Sequence, residues 1–200
     1  MEQYIEILGT IVGVVYLWLE YKANIYLWLV SIIMPAIYLY IFYIAGLYAD
    51  FAINIYYLLI AIYGWLAWKY GFKLFSARKE NNRGEMLKIS HLPKKLWIRL
   101  LAMYIPLQLL ITWVLATYTN SDVPWLDSFT TSVSIIAMWL LARKYVEQWL
   151  VWIVVDVVSV GLYLYKDLYY TSALYAVYAV IAIFGYIKWK HIMQSNKMSS

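Results

Sequence analysis

The chain contains no cysteine, and only 2 of its 200 residues are histidine. Without cysteine, neither a disulfide nor a thiolate metal site can form. The two histidines, His91 and His191, are far apart in sequence, and no HExxH motif, Ser-His constellation or phosphate loop is found. The sequence therefore predicts no catalytic residues, no metal ligands and no cofactor.

Charge is also scarce. Charged residues make up 14% of the chain against 65% hydrophobic residues, and the mean hydropathy is +0.67. Such a composition is typical of an integral membrane protein, and a net charge of +5 needs no nucleic-acid partner to explain it. No cleavable signal peptide is expected, because Met1–Glu6 carries two acids and no base.

Long apolar runs predict an all-α integral membrane protein with seven transmembrane helices. At roughly 20 residues per span, these runs fit helices rather than the alternating strands of a barrel. The predicted spans are 4–19, 25–45, 51–69, 98–119, 128–142, 148–165 and 169–189.

The basic residues predict the orientation of these spans. When the loops are assigned alternately to two sides, 15 of the 16 Lys and Arg fall on one side, and only Lys166 lies on the other. The positive-inside rule then places the N-terminus outside and the C-terminus in the cytoplasm. The basic 70–97 loop is interpreted as a cytoplasmic linker that meets anionic lipid.

Residues 18–68 and 139–189 are two copies of one segment at a constant offset of 121. Of the 51 aligned positions 15 are identical, including Trp28 with Trp149, Gly64 with Gly185, and Trp68 with Trp189. A duplicated membrane unit is typical of transporters whose site lies between the repeats.

The duplication explains the odd number of spans. A three-helix unit copied directly would enter the membrane inverted, so one extra span is needed to restore its orientation. The layout is therefore 3+1+3 with parallel repeats. The predicted regions are repeat 1 (1–69), a cytoplasmic loop (70–97), a linker helix with an outer loop (98–127), repeat 2 (128–189) and a cytoplasmic tail (190–200). Pro106 and Gln108 in the linker helix are candidates either for bending this helix or for packing it against a neighbouring subunit.

The copies diverge most sharply where Pro35 faces Asp156 in the alignment. Proline inside a helix frees a carbonyl, and a carboxylate in the membrane usually faces a cavity or a substrate path. The alternative for Asp156 is an acid that is hydrogen-bonded to a tyrosine between packed helices.

Helical spacing extends this position into a candidate pocket. Trp149, Trp152, Asp156 and Ser159 share a face, and Trp28, Ser31, Pro35 and Tyr38 are their repeat mates. On the third span of each repeat, Asn54 and Tyr57 correspond to Tyr175 and Tyr178. Aromatic faces and one carboxylate suit a flat, cationic heteroaromatic ligand. The alternative for Trp28, Trp149, Trp68 and Trp189 is helix packing or an interfacial belt, and we favour it for Trp68 and Trp189.

Two further acids, Glu20 and Glu147, lie at the predicted cytoplasmic ends of their spans. They are expected to be exposed end charges, with a cytoplasmic gate as the alternative.

Several runs resemble the PnuC vitamin transporters over nearly the whole chain outside the 70–97 loop. The runs are GLYADFAINIYYLLIAIYGWLAW and LDSFTTSVSIIAMWLLARKYVEQWLVWIVVDVVSV, with Tyr63-Gly64-Trp65, Arg143 to Glu147, and Trp149 with Trp152 as recognisable pieces. The resemblance implies a fold similar to the SWEET sugar transporters, a homotrimer, and uptake of nicotinamide riboside or, in some members, thiamine. It also implies a bacterial cytoplasmic (inner) membrane location.

The sequence departs from the nicotinamide riboside members at several amide positions. Those members tend to carry Asn at Gln148, Asp156 and Ser31, and Gln at Asn54, which adds Gln148 to the predicted substrate-binding residues. The short N-terminus and the stretch EYKANIYLWLVSIIMPAIY are more similar to the thiamine members. Together with the altered amides, they lead us to expect thiamine, with nicotinamide riboside as the alternative.

No nucleotide-binding motif is found, so we expect facilitated diffusion with phosphorylation of the vitamin by a cytoplasmic kinase. An integral-membrane enzyme or an assembly subunit is a more distant alternative.

Overall fold

The computed structural model describes residues 2–45, 48–71, 87–119 and 121–198. Seven helices cover most of this part of the chain, which confirms the all-α prediction. They are α1 (Glu2–Tyr21), α2 (Leu27–Ala45), α3 (Tyr48–Tyr70), α4 (Lys94–Tyr118), α5 (Pro124–Ala142), α6 (Gln148–Tyr165) and α7 (Tyr169–Met198). Each predicted span lies inside one helix to within two residues, and the largest differences are at the ends of α4, α5 and α7. Residues 72–86 of the predicted cytoplasmic loop lie outside the described residues.

Five of these helices are long and apolar enough to cross a membrane. They are α3 from Phe51, α4, α5, α6 and α7 as far as Ser195. Within the described part of the chain, α1 and α2 contain shorter apolar stretches, Val12–Tyr21 and Leu27–Tyr40. The chain is therefore a multi-pass membrane protein.

The helices form two compact units, Met1–Lys88 and Ile89–Ser200, which we describe separately. In the first unit α2 packs along α3, and α1 contacts α2. In the second unit α6 packs against both α5 and α7, while α5 also packs on α4. Each unit thus contains the three helices of one predicted repeat.

The same turn joins the first two helices of each repeat. Ala23 and its mate Lys144 both have left-handed backbone, with φ of 51° and 54°. In each turn this residue's N–H bonds the carbonyl three positions back, and the next N–H bonds the carbonyl five positions back, at 2.9–3.0 Å. This is the Schellman ending of a helix, which satisfies carbonyls that a helix terminus leaves unpaired. The duplicated sequence therefore folds into a duplicated turn.

The same tryptophan packing recurs in the core of each unit. Trp28 and Trp68 meet edge to face at 5.5 Å between ring centroids, and their mates Trp149 and Trp189 meet at 5.8 Å. All four rings are buried. A Cβ placed on Gly64 would overlap the Trp28 ring, and one placed on Gly185 would lie 2.7 Å from the Trp149 ring. The paired glycines are therefore needed for close approach between the second and third helices of each repeat.

The fourth helix is tied to the fifth by a buried polar network. The Gln108 side-chain amide donates to the Ser128 hydroxyl at 2.8 Å and to the Trp125 carbonyl at 3.1 Å. The Thr112 and Ser128 hydroxyls are 2.6 Å apart. Gln108 thus bonds within its own chain, and its suggested packing against a neighbouring subunit is wrong because its side chain is already buried against α5.

Candidate functional site

One face of α6 carries a line of polar side chains. Gln148, Trp152, Asp156 and Ser159 are three or four residues apart, so they lie above one another along the helix. Gln148 is completely buried, Asp156 is 5% exposed and Ser159 is also buried. This polar line is enclosed by protein, not directed toward lipid.

The Asp156 carboxylate lies near two tyrosines of α7. Its charge acts on the Tyr175 and Tyr178 hydroxyls. Within the described residues no side chain or backbone group donates a hydrogen bond to Asp156. A buried carboxylate without a donor or a cation is costly, so the position is suited to a ligand that brings positive charge.

Aromatic rings of α6 and α7 lie next to one another on this side of the unit. The Tyr163 and Tyr175 rings stack at 5.1 Å with planes 22° apart, and the Tyr175 and Tyr178 rings meet at 5.7 Å. A flat ligand beside Asp156 would therefore find tyrosine faces within reach.

Several buried polar atoms on α5 and α6 lack a partner in the part of the chain that the structure describes. They include both amide atoms of Gln148, the Trp152 Nε1–H and the Ser132 hydroxyl. Each unmet buried donor or acceptor costs about 1–3 kcal/mol. Buried polar groups of this kind are normally hydrogen-bonded, here either to a bound ligand or to ordered water.

The first unit has its own buried polar cluster, at different positions. The Tyr16 hydroxyl lies within hydrogen-bonding reach of the Glu20 carboxylate and the Ser31 hydroxyl, and it interacts with Tyr57 of α3. Ser31 itself donates to the Leu27 carbonyl at 2.9 Å. Glu20 is 2% exposed, so the prediction of an exposed end charge is wrong there. Tyr16, one helical turn before Glu20, lies against the Glu20 carboxylate. The i, i+4 spacing of these two residues is the sequence signal that could have predicted this contact.

The other predicted site residues of the first repeat lie in different surroundings. Asn54 is buried, whereas Tyr38 is exposed at the surface of its unit. The Trp28 ring is enclosed by Gly64 and Trp68, so it has a packing role, and its buried Nε1–H has no partner in the described part of the chain. Trp149 has the same surroundings in the second repeat. Ligand contact by these residues stays a prediction.

Three curated relatives cover most of the chain. The nicotinamide riboside transporter PnuC of Escherichia coli (strain K12) is 29% identical over 93% of this chain and 84% of its own length. The PnuC protein of Neisseria mucosa is 27% identical over 88% of this chain and 67% of its own length. The riboflavin/roseoflavin transporter RibM of Streptomyces davaonensis is 24% identical over 92% of this chain and 83% of its own length.

A solved structure and a family profile agree with these relatives. The crystal structure of the vitamin B3 transporter PnuC matches 92% of this chain and 79% of its own, with a TM-score of 0.63 and 25% identity. The profile described as nicotinamide mononucleotide transporter matches residues 3–191. These proteins are transporters by name, which confirms the prediction that the chain is not an enzyme. The chain belongs to the nicotinamide mononucleotide transporter family, and the resemblance to the PnuC vitamin transporters is confirmed.

Proposed function

We propose that this protein carries a cationic aromatic vitamin, nicotinamide riboside, across the bacterial cytoplasmic membrane by facilitated diffusion. The observation that supports the proposal most strongly is the buried Asp156 carboxylate, which lies beside Tyr175 and Tyr178 and accepts no hydrogen bond from the residues that the structure describes. A pyridinium ring would bring the positive charge that this carboxylate lacks and a flat surface for the tyrosines.

The relatives favour nicotinamide riboside over thiamine. The expectation of thiamine rests on several altered amide positions, with an acid gained at Asp156, and on the N-terminal part of the chain. The relatives are named for nicotinamide riboside and riboflavin, and an added carboxylate is as compatible with the nicotinamide cation as with thiamine. Thiamine is therefore the competing ligand in the experiments below.

The proposed architecture has parallel repeats in the 3+1+3 order of the SWEET transporters. The duplicated turns at Ala23 and Lys144 and the duplicated Trp–Gly packing support it. The N-terminus lies outside, the C-terminus lies in the cytoplasm, and three copies assemble as a homotrimer. Reporter fusions in the 70–97 loop and at the C-terminus should both report the cytoplasm, and an external signal from either would contradict this orientation.

Net uptake in this proposal comes from phosphorylation of the vitamin by a cytoplasmic kinase. The absence of a nucleotide-binding motif from the sequence supports passive exchange. Purified protein in liposomes should equilibrate labelled nicotinamide riboside and return it chemically unchanged. Accumulation above the external concentration, without any trapping enzyme, would contradict facilitated diffusion.

Binding to detergent-purified protein tests the site. Asp156→Asn should retain the fold and weaken nicotinamide riboside binding by about 1–3 kcal/mol, or roughly 5- to 150-fold. Asp167→Asn is the matched control, because Asp167 is exposed and its left-handed backbone, with φ of 57°, also accepts Asn. Unchanged affinity in Asp156→Asn, or tighter binding of thiamine than of nicotinamide riboside by wild type, would contradict the assignment.

A further inference from the structure

A short segment, residues 89–93, docks on the turn between α5 and α6. We call this segment the strap. The Ser90 N–H donates to the Lys144 carbonyl at 3.1 Å, and the Val146 N–H donates to the Ser90 carbonyl at 3.0 Å. Ser90 thus forms a single parallel β-bridge with Tyr145. The strap and this turn belong to the same compact unit.

Glu147, the residue before α6, holds the strap with both carboxylate oxygens. Its Oε1 lies 2.8 Å from His91 Nδ1, and its Oε2 accepts from the Leu92 backbone N–H at 2.8 Å. An ionised carboxylate only accepts hydrogen bonds, so the proton lies on His91 Nδ1. The His91 side chain is 53% exposed and the Glu147 side chain 13%. The bond to the Leu92 N–H, which is part-buried, is therefore the stronger contact.

Two apolar side chains of the strap are packed into the protein interior. Ile89 and Leu92 are buried. Leu92 forms a cluster with Leu100 of α4 and Leu140 of α5. The strap is thus anchored by backbone pairing, by a carboxylate and by a hydrophobic cluster.

The corresponding turn of the first repeat is held in another way. The mate of Glu147 is Tyr26, which is 61% exposed. The Asn24 side chain accepts a hydrogen bond from the Tyr26 N–H at 3.0 Å. The turn of the first repeat is thus capped by the side chain of Asn24, which belongs to the turn itself. The turn of the second repeat is instead bound by the strap, which lies outside that repeat.

The residue after Glu147 is Gln148, whose buried amide has no partner among the described residues. We propose that Glu147 is a positioning residue: by holding the strap it fixes the start of α6, and with it the Gln148 amide in the substrate site. The strap stays docked throughout transport. The inference rests on the proposed function, because Gln148 lies on the same face of α6 as Asp156, which the proposed function places at the substrate.

The absence of cysteine allows a direct test of permanent docking. A Ser90→Cys, Tyr145→Cys pair is then the only possible intramolecular disulfide, and the two positions face each other in the β-bridge. The oxidised protein should exchange nicotinamide riboside in liposomes as fast as the reduced protein. Loss of exchange that reductant restores would show that the strap must release, and would overturn the proposal.

Glu147 variants test the positioning role. Glu147→Ala should raise the dissociation constant for nicotinamide riboside about tenfold, the effect of losing one charge-assisted hydrogen bond. Glu147→Gln should recover part of the affinity, since its amide oxygen still accepts from the Leu92 N–H. The Ser90–Tyr145 disulfide should restore affinity to Glu147→Ala, and failure to restore it would overturn the proposal.

The first repeat and the second histidine supply controls. Tyr26→Ala, at the mate of Glu147, should leave affinity unchanged. His91→Ala should weaken binding slightly, whereas His191→Ala should leave it unchanged. Equal effects of Glu147→Ala and Tyr26→Ala would contradict a role special to the strap.

Amide hydrogen exchange separates this proposal from the proposed function. Without any ligand, Glu147→Ala should speed exchange at the Val146 N–H, which bonds to Ser90, and at the first amides of α6. Unchanged exchange there would overturn the strap even if nicotinamide riboside is the substrate. Wild-type protein that shows this protection but does not bind nicotinamide riboside would overturn the proposed substrate alone.

Discussion

The two repeats share their packing residues and differ in where they bury an acid. In both, a Schellman turn follows the first helix, and a glycine of the third helix admits a tryptophan of the second. Among residues of described burial, the first repeat buries Glu20, at the end of α1 beside Tyr16. The second buries Asp156, within α6 beside Tyr175 and Tyr178. The tryptophans and glycines that set these helix contacts are the same in both repeats, whereas some candidate site positions differ, such as Ser31 against Trp152 and Pro35 against Asp156. The predictions below test this contrast.

The tryptophan pairs should give the largest effects, and the two repeats should respond alike. Trp68→Ala and Trp189→Ala each remove a fully buried ring, and each should lower the free energy of unfolding by about 3–5 kcal/mol. Denaturant titration of the purified protein in detergent measures the loss. A large loss at one position and none at the other would break the structural equivalence of the repeats.

The paired glycines should come next. Gly64→Ala and Gly185→Ala place a Cβ against the Trp28 and Trp149 rings and should destabilise the protein by about 1–3 kcal/mol each. Gly161→Ala is the control, because, outside its own stretch of helix, no atom of the described residues lies within 4 Å of the added Cβ. This substitution should be neutral or stabilising. Trp28→Phe combined with Gly64→Ala should recover part of the loss, and strict additivity would show that the two residues do not interact.

Substitution of Trp152 should affect ligand binding rather than folding. Trp152 is half-buried one turn before Asp156, and its Nε1–H has no partner among the described residues. Trp152→Ala should weaken nicotinamide riboside binding by roughly 0.5–2 kcal/mol through loss of stacking. Trp113→Ala, on the outward face of α4, is the control for loss of a tryptophan. Retained affinity in Trp152→Ala with reduced thermal stability would assign it to packing.

The two turns should give the smallest effects. Ala23→Gly removes the penalty of a left-handed non-glycine residue and should stabilise the protein by a few tenths to about 1 kcal/mol. Lys144→Gly removes the same penalty and also a partly buried ammonium. The two variants should therefore both raise the melting temperature, and a decrease in either would contradict the shared turn geometry.

The lysine adds a pH dependence that its mate Ala23 cannot have. Burial lowers the pKa of Lys144 from 10.5 to about 8. Between these values the unfolded chain holds a proton that the folded chain has lost, so stability should rise with pH from about 8 to about 10.5. Melting temperatures across this range should show a smaller rise in Lys144→Gly than in wild type. An identical rise in both would assign it to other groups.

Local spacing was enough to predict the helices and the repeat. Apolar runs located all seven helices, with differences of a few residues at ends such as Lys94 and Pro124. The constant offset alone pairs Trp28 with Trp149 and Gly64 with Gly185, and these pairs make equivalent contacts in the two repeats. The spacing of Trp152, Asp156 and Ser159 also predicted a shared face on α6, because helix geometry depends only on separation along the chain.

The tertiary structure decided which of these residues are covered and by what. Glu20 was expected to be exposed because it lies near a helix end, yet Tyr16 and the neighbouring helices bury it. The strap could not be predicted, since its contacts join Ser90 and His91 to residues more than 50 positions away. Periodicity along the chain determines which side chains share a face. Burial and partners depend on which distant segments pack there, and that depends on the whole fold.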